Sequence, residues 1–214
     1  KSLSHYFIKQ DGFQVLTPTR QQLDLLNRDM CQKYFANNRP DYIINCAVTV
    51  HSVEETLRSY FNVVSCNENF GRMIYFGSGS EYNPSRYIPL MKEHYSTNSF
   101  PEAGYPFAKW IIGNEIERNV LKNVINLRLF AVYGAYENFK QRFISSNICK
   151  VLSGGQISLN QDVKFDFIYI DDLCEVVHKV LEAKTTCFQT YNVCSGRPVK
   201  LSTLASLIKE IMEV

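Results

Sequence analysis

Three compact apolar runs constrain this chain more than any other feature: DYIINCAV from Asp41, RMIYFGS from Arg72 and VINLRLFAV from Val124. Runs of this kind suit strands buried on both faces. Between them lie stretches with apolar residues at helical spacing. RDMCQKYFANN ends at Asn37, Asn38 and Pro40, and SVEETLRSYFNVV and YPFAKWIIGNEIERNVLKN follow. Strand and helix alternate with short connections. That alternation predicts an α/β fold, a doubly wound parallel sheet with helices on both sides.

The flanking segments are less regular. Leu3, Phe7 and Ile8 predict a helix already under way at Lys1, and Phe13, Val15 and Leu16 a short strand ending at Pro18. From Ala135 the pattern loosens. A helix RFISSNICKVLSGG stops at paired glycines, a strand pair is expected around QISLNQDVKFDFIYI, and the helix DDLCEVVHKVLEA opens on two carboxylates that suit its N-terminus. A strand, a turn and a helix with Ser202 as N-cap close the chain. The expected division is residues 1–134 as a dinucleotide-binding domain and 135–214 as a smaller substrate lobe, with 165–185 returning to the first.

Charge and composition exclude several classes. The net charge is +2 with no basic block, so no nucleic-acid partner is expected. A hydrophobic content of 45% with 21% charged residues is that of a soluble globular protein. There is no apolar run long enough to span a membrane, and the expected location is the cytoplasm. Seven cysteines, an odd count with no C-x-x-C pair, argue against a disulfide framework or zinc site and for free buried thiols. His5, His94 and His178 lack metal-ligand spacing, and no metal is expected. His51 is read as an ordinary loop residue.

In open parallel sheets, ligands bind at the carboxyl ends of the strands. Those ends are predicted at Arg20, Ala47, Ser78 and Phe130. Tyr105 and Lys109 in YPFAK lie four apart, on one face of a helix start. An ammonium near a phenol favours phenolate and makes tyrosine a usable general acid or base. Ser78 ends a predicted strand, with Gly77 and Gly79 leaving room for a ligand.

Six segments taken in order, RPDYIINCAV, YFGSGSEYN, YPFAK, NLRLFAVYG, FDFIYIDDL and YNVCSGRPVKLSTLASLIKEI, resemble the NAD-dependent epimerase/dehydratase family of extended short-chain dehydrogenases/reductases. The resemblance implies a Rossmann-type fold and NAD or NADP as cofactor. It also implies a nucleotide-diphosphate sugar substrate, a homodimer, and a role in surface polysaccharide synthesis. Tyr105 would move the proton, Ser78 would orient the reacting oxygen, and Lys109 would hold the nicotinamide ribose. Cys46, Ala47 and Phe130 fall in the cofactor-lining segments. TRQQLDLLN resembles GDP-fucose synthase-like members and places Arg20 and Asp24 near the cofactor, with Arg20 suited to a 2′-phosphate.

Departures from the family pattern narrow the chemistry. The glycine-rich loop G-x-x-G-x-x-G is missing; in the family it precedes a helix like Ser2–Gln10, so it and the first strand are expected upstream of Lys1. Gly79 and Ser80 stand where 4,6-dehydratases carry an Asp-Glu pair, which disfavours dehydration. Ser80 and Arg142 stand where GDP-fucose synthase has its Cys and His, which disfavours a double epimerisation. Phe165 replaces a phosphate-binding Arg, leaving Lys164, Arg142 and Arg197 as substrate-binding candidates beside Ser80. The reading is an NAD(P)-dependent nucleotide-sugar epimerase or 4-ketoreductase. The alternative is a catalytically degenerate dinucleotide-fold protein that binds and regulates.

Overall fold

The computed structural model describes residues 1–88, 90–118 and 120–213. In chain order its helices are α1 (Ser2–Ile8), α2 (Arg28–Asn38), α3 (Val53–Val64), α4 (Gly104–Glu117), α5 (Phe143–Leu152), α6 (Ile170–Glu182) and α7 (Leu201–Met212). The strands are β1 (Tyr42–Asn45), β2 (Arg72–Ser78), β3 (Val124–Leu129), β4 (Ala131–Tyr133), β5 (Lys164–Phe165), β6 (Phe167–Tyr169), β7 (Thr190–Val193) and β8 (Val199–Lys200). The chain packs into two compact units. One comprises Leu16–Leu129 and Val177–Asn192; the other comprises Lys1–Val15, Phe130–Val176 and Val193–Val214.

The first unit is built on a sheet in the order β1-β2-β3-β7. Ile43 lies opposite Met73, and Tyr75 opposite Asn126, both in parallel register. Local chemistry sets the helix ends. Asn27 accepts a bond from the Met30 amide at 3.0 Å, and α2 stops at Arg39 in a left-handed conformation ahead of Pro40. Ser52 caps α3 through the Glu55 amide at 3.1 Å, with Glu54 and Glu55 in the first turn where carboxylates complement the dipole. The core gathers Cys31 and Phe35 from α2, Tyr60 and Val63 from α3, Met73 and Tyr75 from β2, and Ile112 and Ile116 from α4. Each such apolar side chain contributes about 1.5–3 kcal/mol on full burial. Arg72, at the start of β2, donates to the carbonyls of Val180, Leu181 and Ala183 and so caps the end of α6.

The second unit holds two small sheets, β4 with β6 in parallel and β5 with β8 antiparallel. The expected strand pair in QISLNQDVKFDFIYI is therefore corrected: β5 and β6 each pair with a different, distant strand. Ser202 is not the cap of α7. It lies inside the first turn, and its amide and hydroxyl donate to the Asp162 carboxylate at 3.0 and 2.9 Å, which performs the capping. No strand forms at Phe13–Leu16, because no described strand pairs with it; Phe13 packs on Phe7 instead, with ring centroids 5.0 Å apart. DYIINCAV shortens to the edge strand β1, with Tyr42 exposed and Ile43 and Ile44 only half-buried, so it is not covered on both faces.

Of the seven cysteines, Cys31, Cys66 and Cys174 are buried, Cys149 is half-buried and Cys46, Cys187 and Cys194 are exposed; all are free thiols. The expectation of buried thiols holds for three of them. No helix among the described residues is long and apolar enough to cross a membrane.

Candidate active site

Ser78 is the last residue of β2 and the cap of a short 3-10 turn over Gly79–Glu81. Its hydroxyl accepts from the Ser80 amide at 3.1 Å and from the Ser80 hydroxyl at 2.9 Å. Its own amide donates to Glu81 Oε1 at 2.8 Å. Serine and glutamate three apart thus form a capping box.

Tyr105 and Lys109 sit in the first turns of α4, which the chain enters through Gly104 at φ +71°. A left-handed residue there is cheap only for glycine. Lys109 is buried, 3% exposed. Its ammonium donates to the Phe76 carbonyl at 2.6 Å, lies 4.2 Å above the centre of the Tyr75 ring and 5.6 Å from that of Tyr105. Cation–π contact offsets part of what burial of the charge costs. Tyr75 itself is 2% exposed, and its hydroxyl meets no hydrogen-bond partner among the described residues.

Burial lowers the Lys109 pKa from 10.5 to about 8, and the Glu81 charge pulls the other way. The folded protein thus releases this proton before the unfolded chain does. The charged lysine costs the fold about 3 kcal/mol below pH 8, and that cost is relieved as pH rises from 8 to 10.5. Cys31 acts in the opposite direction. Burial raises it from 9.0 to about 11, so its contribution is lost as pH rises through that range. Comparing wild type with Lys109→Met cancels the Cys31 part. Urea unfolding is expected to show wild type gaining about 2–3 kcal/mol on Lys109→Met between pH 7.5 and 10.5. A flat difference would contradict the burial of a charged Lys109.

Beneath these residues lies a charged network that the sequence reading did not single out. Arg128 and Glu81 are both 0% exposed. Arg128 donates to Glu81 Oε2 at 2.8 Å, to the Tyr82 hydroxyl at 2.8 Å, to Ser96 at 3.1 Å and to Glu117 at 3.5 Å. Burial pulls the guanidinium down, but Glu81, Tyr82 and Glu117 together outweigh it and Arg128 ends above its ordinary value. Burial pushes the Glu117 carboxyl up, opposed by Arg128. A Cβ on Gly77 would collide with Glu81 Oε1 and Asn126 Oδ1, and one on Gly113 with Glu81 Oε2. Gly→Ala inside a helix ordinarily stabilises by ~1 kcal/mol. Gly113→Ala is expected to reverse that sign and lower the thermal midpoint, because α4 must leave space for the carboxylate.

The remaining candidates fall as follows. Arg20 is mostly exposed, and its Nε lies 3.5 Å from Asp24 Oδ2; Asp24 also accepts from the Leu26 amide at 3.1 Å. Cys46 and Ala47 are exposed just beyond β1, with the Ala47 amide bonded to Asn45 Oδ1 at 3.1 Å. Ser80 contacts Ser78 directly. Phe130, Arg142, Lys164 and Arg197 belong to the other unit. There Arg142 precedes α5, Lys164 lies in β5, and Arg197 is in the turn before β8 with its amide bonded to Ser195 Oγ at 3.1 Å. Among the described residues no group of three His, Cys, Asp or Glu side chains is placed to hold a metal.

A sequence model described as the NAD dependent epimerase/dehydratase family matches residues 2–194. The chain belongs to this family. GDP-L-colitose synthase of Yersinia pseudotuberculosis is 19% identical over 233 residues, covering 95% of this chain and 76% of that one. Among solved structures, a GDP-mannoheptose C4 reductase from Campylobacter jejuni with NADP bound superposes with a TM-score of 0.83 at 23% identity, over 99% of this chain and 81% of its own. A GDP-L-fucose synthetase from Naegleria fowleri bound to NADP gives a TM-score of 0.79 at 16% identity, over 99% and 74%. At these identities the structural likenesses establish the fold, a Rossmann-type parallel sheet with its helices.

Proposed function

We propose that this protein is an NAD(P)-dependent nucleotide-sugar epimerase or 4-ketoreductase, with Tyr105 as general acid or base. The observation that carries the proposal is the Lys109 ammonium, buried between the Phe76 carbonyl and the rings of Tyr75 and Tyr105. A structural lysine would not be expected to give up solvent for a single carbonyl; a charge kept beside a phenol favours the phenolate and suits proton transfer.

The donor set fits a nicotinamide cofactor. Among the described residues the Lys109 hydrogen bond goes to Phe76, which leaves two N–H groups for ribose hydroxyls. Cys46 and Ala47 would line the same ligand, and the exposed Arg20 beside Asp24 would meet an adenosine 2′-phosphate. When bound, this cofactor supplies or accepts the hydride. Everything else falls to the chain. The Ser78 hydroxyl already accepts two bonds from Ser80, so its own proton is left to donate to the substrate oxygen. In ketone reduction the carbonyl carbon gains the hydride and its oxygen gains the Tyr105 proton. In the reverse direction phenolate takes that proton back.

The GDP-sugar names of the relatives support a GDP-linked sugar, and the one named a reductase, with NADP bound, favours reduction. Gly79 and Ser80 offer no carboxyl for dehydration. Arg142, Lys164 and Arg197 are proposed to meet the diphosphate. Calorimetric titration of NADPH and NADH, into this chain and into a version extended upstream of Lys1, tests the reading without any substrate. Binding of one of the two, weakened at least tenfold in Lys109→Met, is expected. Binding of neither would overturn it.

A further inference from the structure

Glu81 is buried at the carboxyl end of β2, in a slot shaped for it. Two glycines, Gly77 on β2 and Gly113 on α4, withhold the methylene that would strike its oxygens. The two oxygens divide their partners. Oε1 accepts the Ser78 amide at 2.8 Å; Oε2 accepts Arg128 Nε at 2.8 Å and Asn126 Nδ2 at 3.3 Å. Arg128 is in turn fixed by Tyr82, Ser96, Glu117 and the Glu93 carbonyl. A buried ion pair is weak evidence of stabilisation, since an apolar pair of similar volume is often as stable. What an apolar pair cannot supply is an acceptor for the Ser78 amide.

We infer that Glu81 is a positioning residue: locked by Arg128, its carboxylate fixes the Ser78 amide and, through the capping box, the direction in which the Ser78 hydroxyl donates. The turn Gly79–Glu81 is closed from both ends, by Ser80 on the Ser78 hydroxyl and by Glu81 on the Ser78 amide. Releasing one end frees the other. A hydroxyl displaced by a fraction of an ångström loses its aim at the substrate oxygen, and misplacements of that order can cost up to ~10²-fold in rate. The consequence for turnover rests on the functional reading above; the geometry of the cap does not.

The test separates orientation from stability with two variants. Glu81→Gln keeps an oxygen for the Ser78 amide but strips Arg128 of its counter-charge. The double variant Glu81→Met/Arg128→Met removes both charges together and with them the acceptor. Thermal melts, hydrogen exchange at the Ser78 amide, and kcat and KM with NADPH and a GDP-linked 4-keto sugar are measured on all three proteins. Glu81→Gln is expected to melt lower yet keep the Ser78 amide protected and kcat within about threefold of wild type. The double variant is expected to melt near wild type, to exchange the Ser78 amide at least tenfold faster, and to lose at least tenfold in kcat with KM unchanged. Recovery of kcat together with the melting temperature in the double variant, or a Ser78 amide as protected as in wild type, overturns the assignment. A wild type without turnover overturns the functional reading instead, and the exchange comparison then decides the role of Glu81 by itself.

Discussion

Tyr105→Phe is expected to lower kcat by about 10²–10⁴-fold while leaving the fold and NADPH affinity intact, the range usual for removal of a general acid or base. The ring survives in this variant, so the Lys109 ammonium keeps the aromatic face 5.6 Å away. Helix α4 is unaffected because the first-turn position needs no hydroxyl. Only the proton is lost. The effect is expected in kcat and kcat/KM equally, the pattern of an interaction made in the transition state. Stopped-flow traces of NADPH oxidation check it. A residual rate near wild type would assign the proton transfer to another group.

Arg128→Met is the second large effect, and it falls on stability. The guanidinium is fully buried and holds Glu81, Tyr82, Ser96 and Glu117 at once. Among the described residues its removal leaves the Glu81 carboxylate in the interior with the Ser78 amide and Asn126 as its hydrogen-bond partners. Losing one partner of a buried pair costs about 3–5 kcal/mol, far more than the pair contributes as a whole. For a chain of this length that is a fall of roughly 10–15 °C in the melting temperature. Urea unfolding of the single and double variants checks the coupling. Equal losses in both would contradict the ion-pair account.

Tyr105 and Lys109 were legible from sequence because helical geometry is local: four residues apart means one face, whatever the helix packs on. The Phe76 carbonyl that accepts the Lys109 hydrogen bond lies 33 positions away, and the Tyr75 ring beneath it comes from the same distant strand. Contacts of that range depend on the sheet, which no local pattern encodes. The capping box was present as Ser-x-x-Glu at Ser78–Glu81, but Gly79 between them reads as room for a ligand rather than as part of a cap. Arg128 also carried a sign, a lone charge inside the apolar run VINLRL. Two elements misled for a common reason. Phe13–Leu16 has strand composition but lies alongside no described strand, and the run after Val163 pairs not with itself but with β4 and β8. Strand formation is decided by what lies alongside.

The most direct measurement follows deuterium from NADPH labelled at the transferable position of its nicotinamide into a GDP-linked 4-keto sugar, read by mass spectrometry of the product. The account predicts a product one mass unit heavier, formed by the wild-type protein and lost in Tyr105→Phe. NADPH that binds while the sugar is recovered unlabelled would contradict the reductase reading, and label transferred equally well without the Tyr105 hydroxyl would contradict the role of Tyr105.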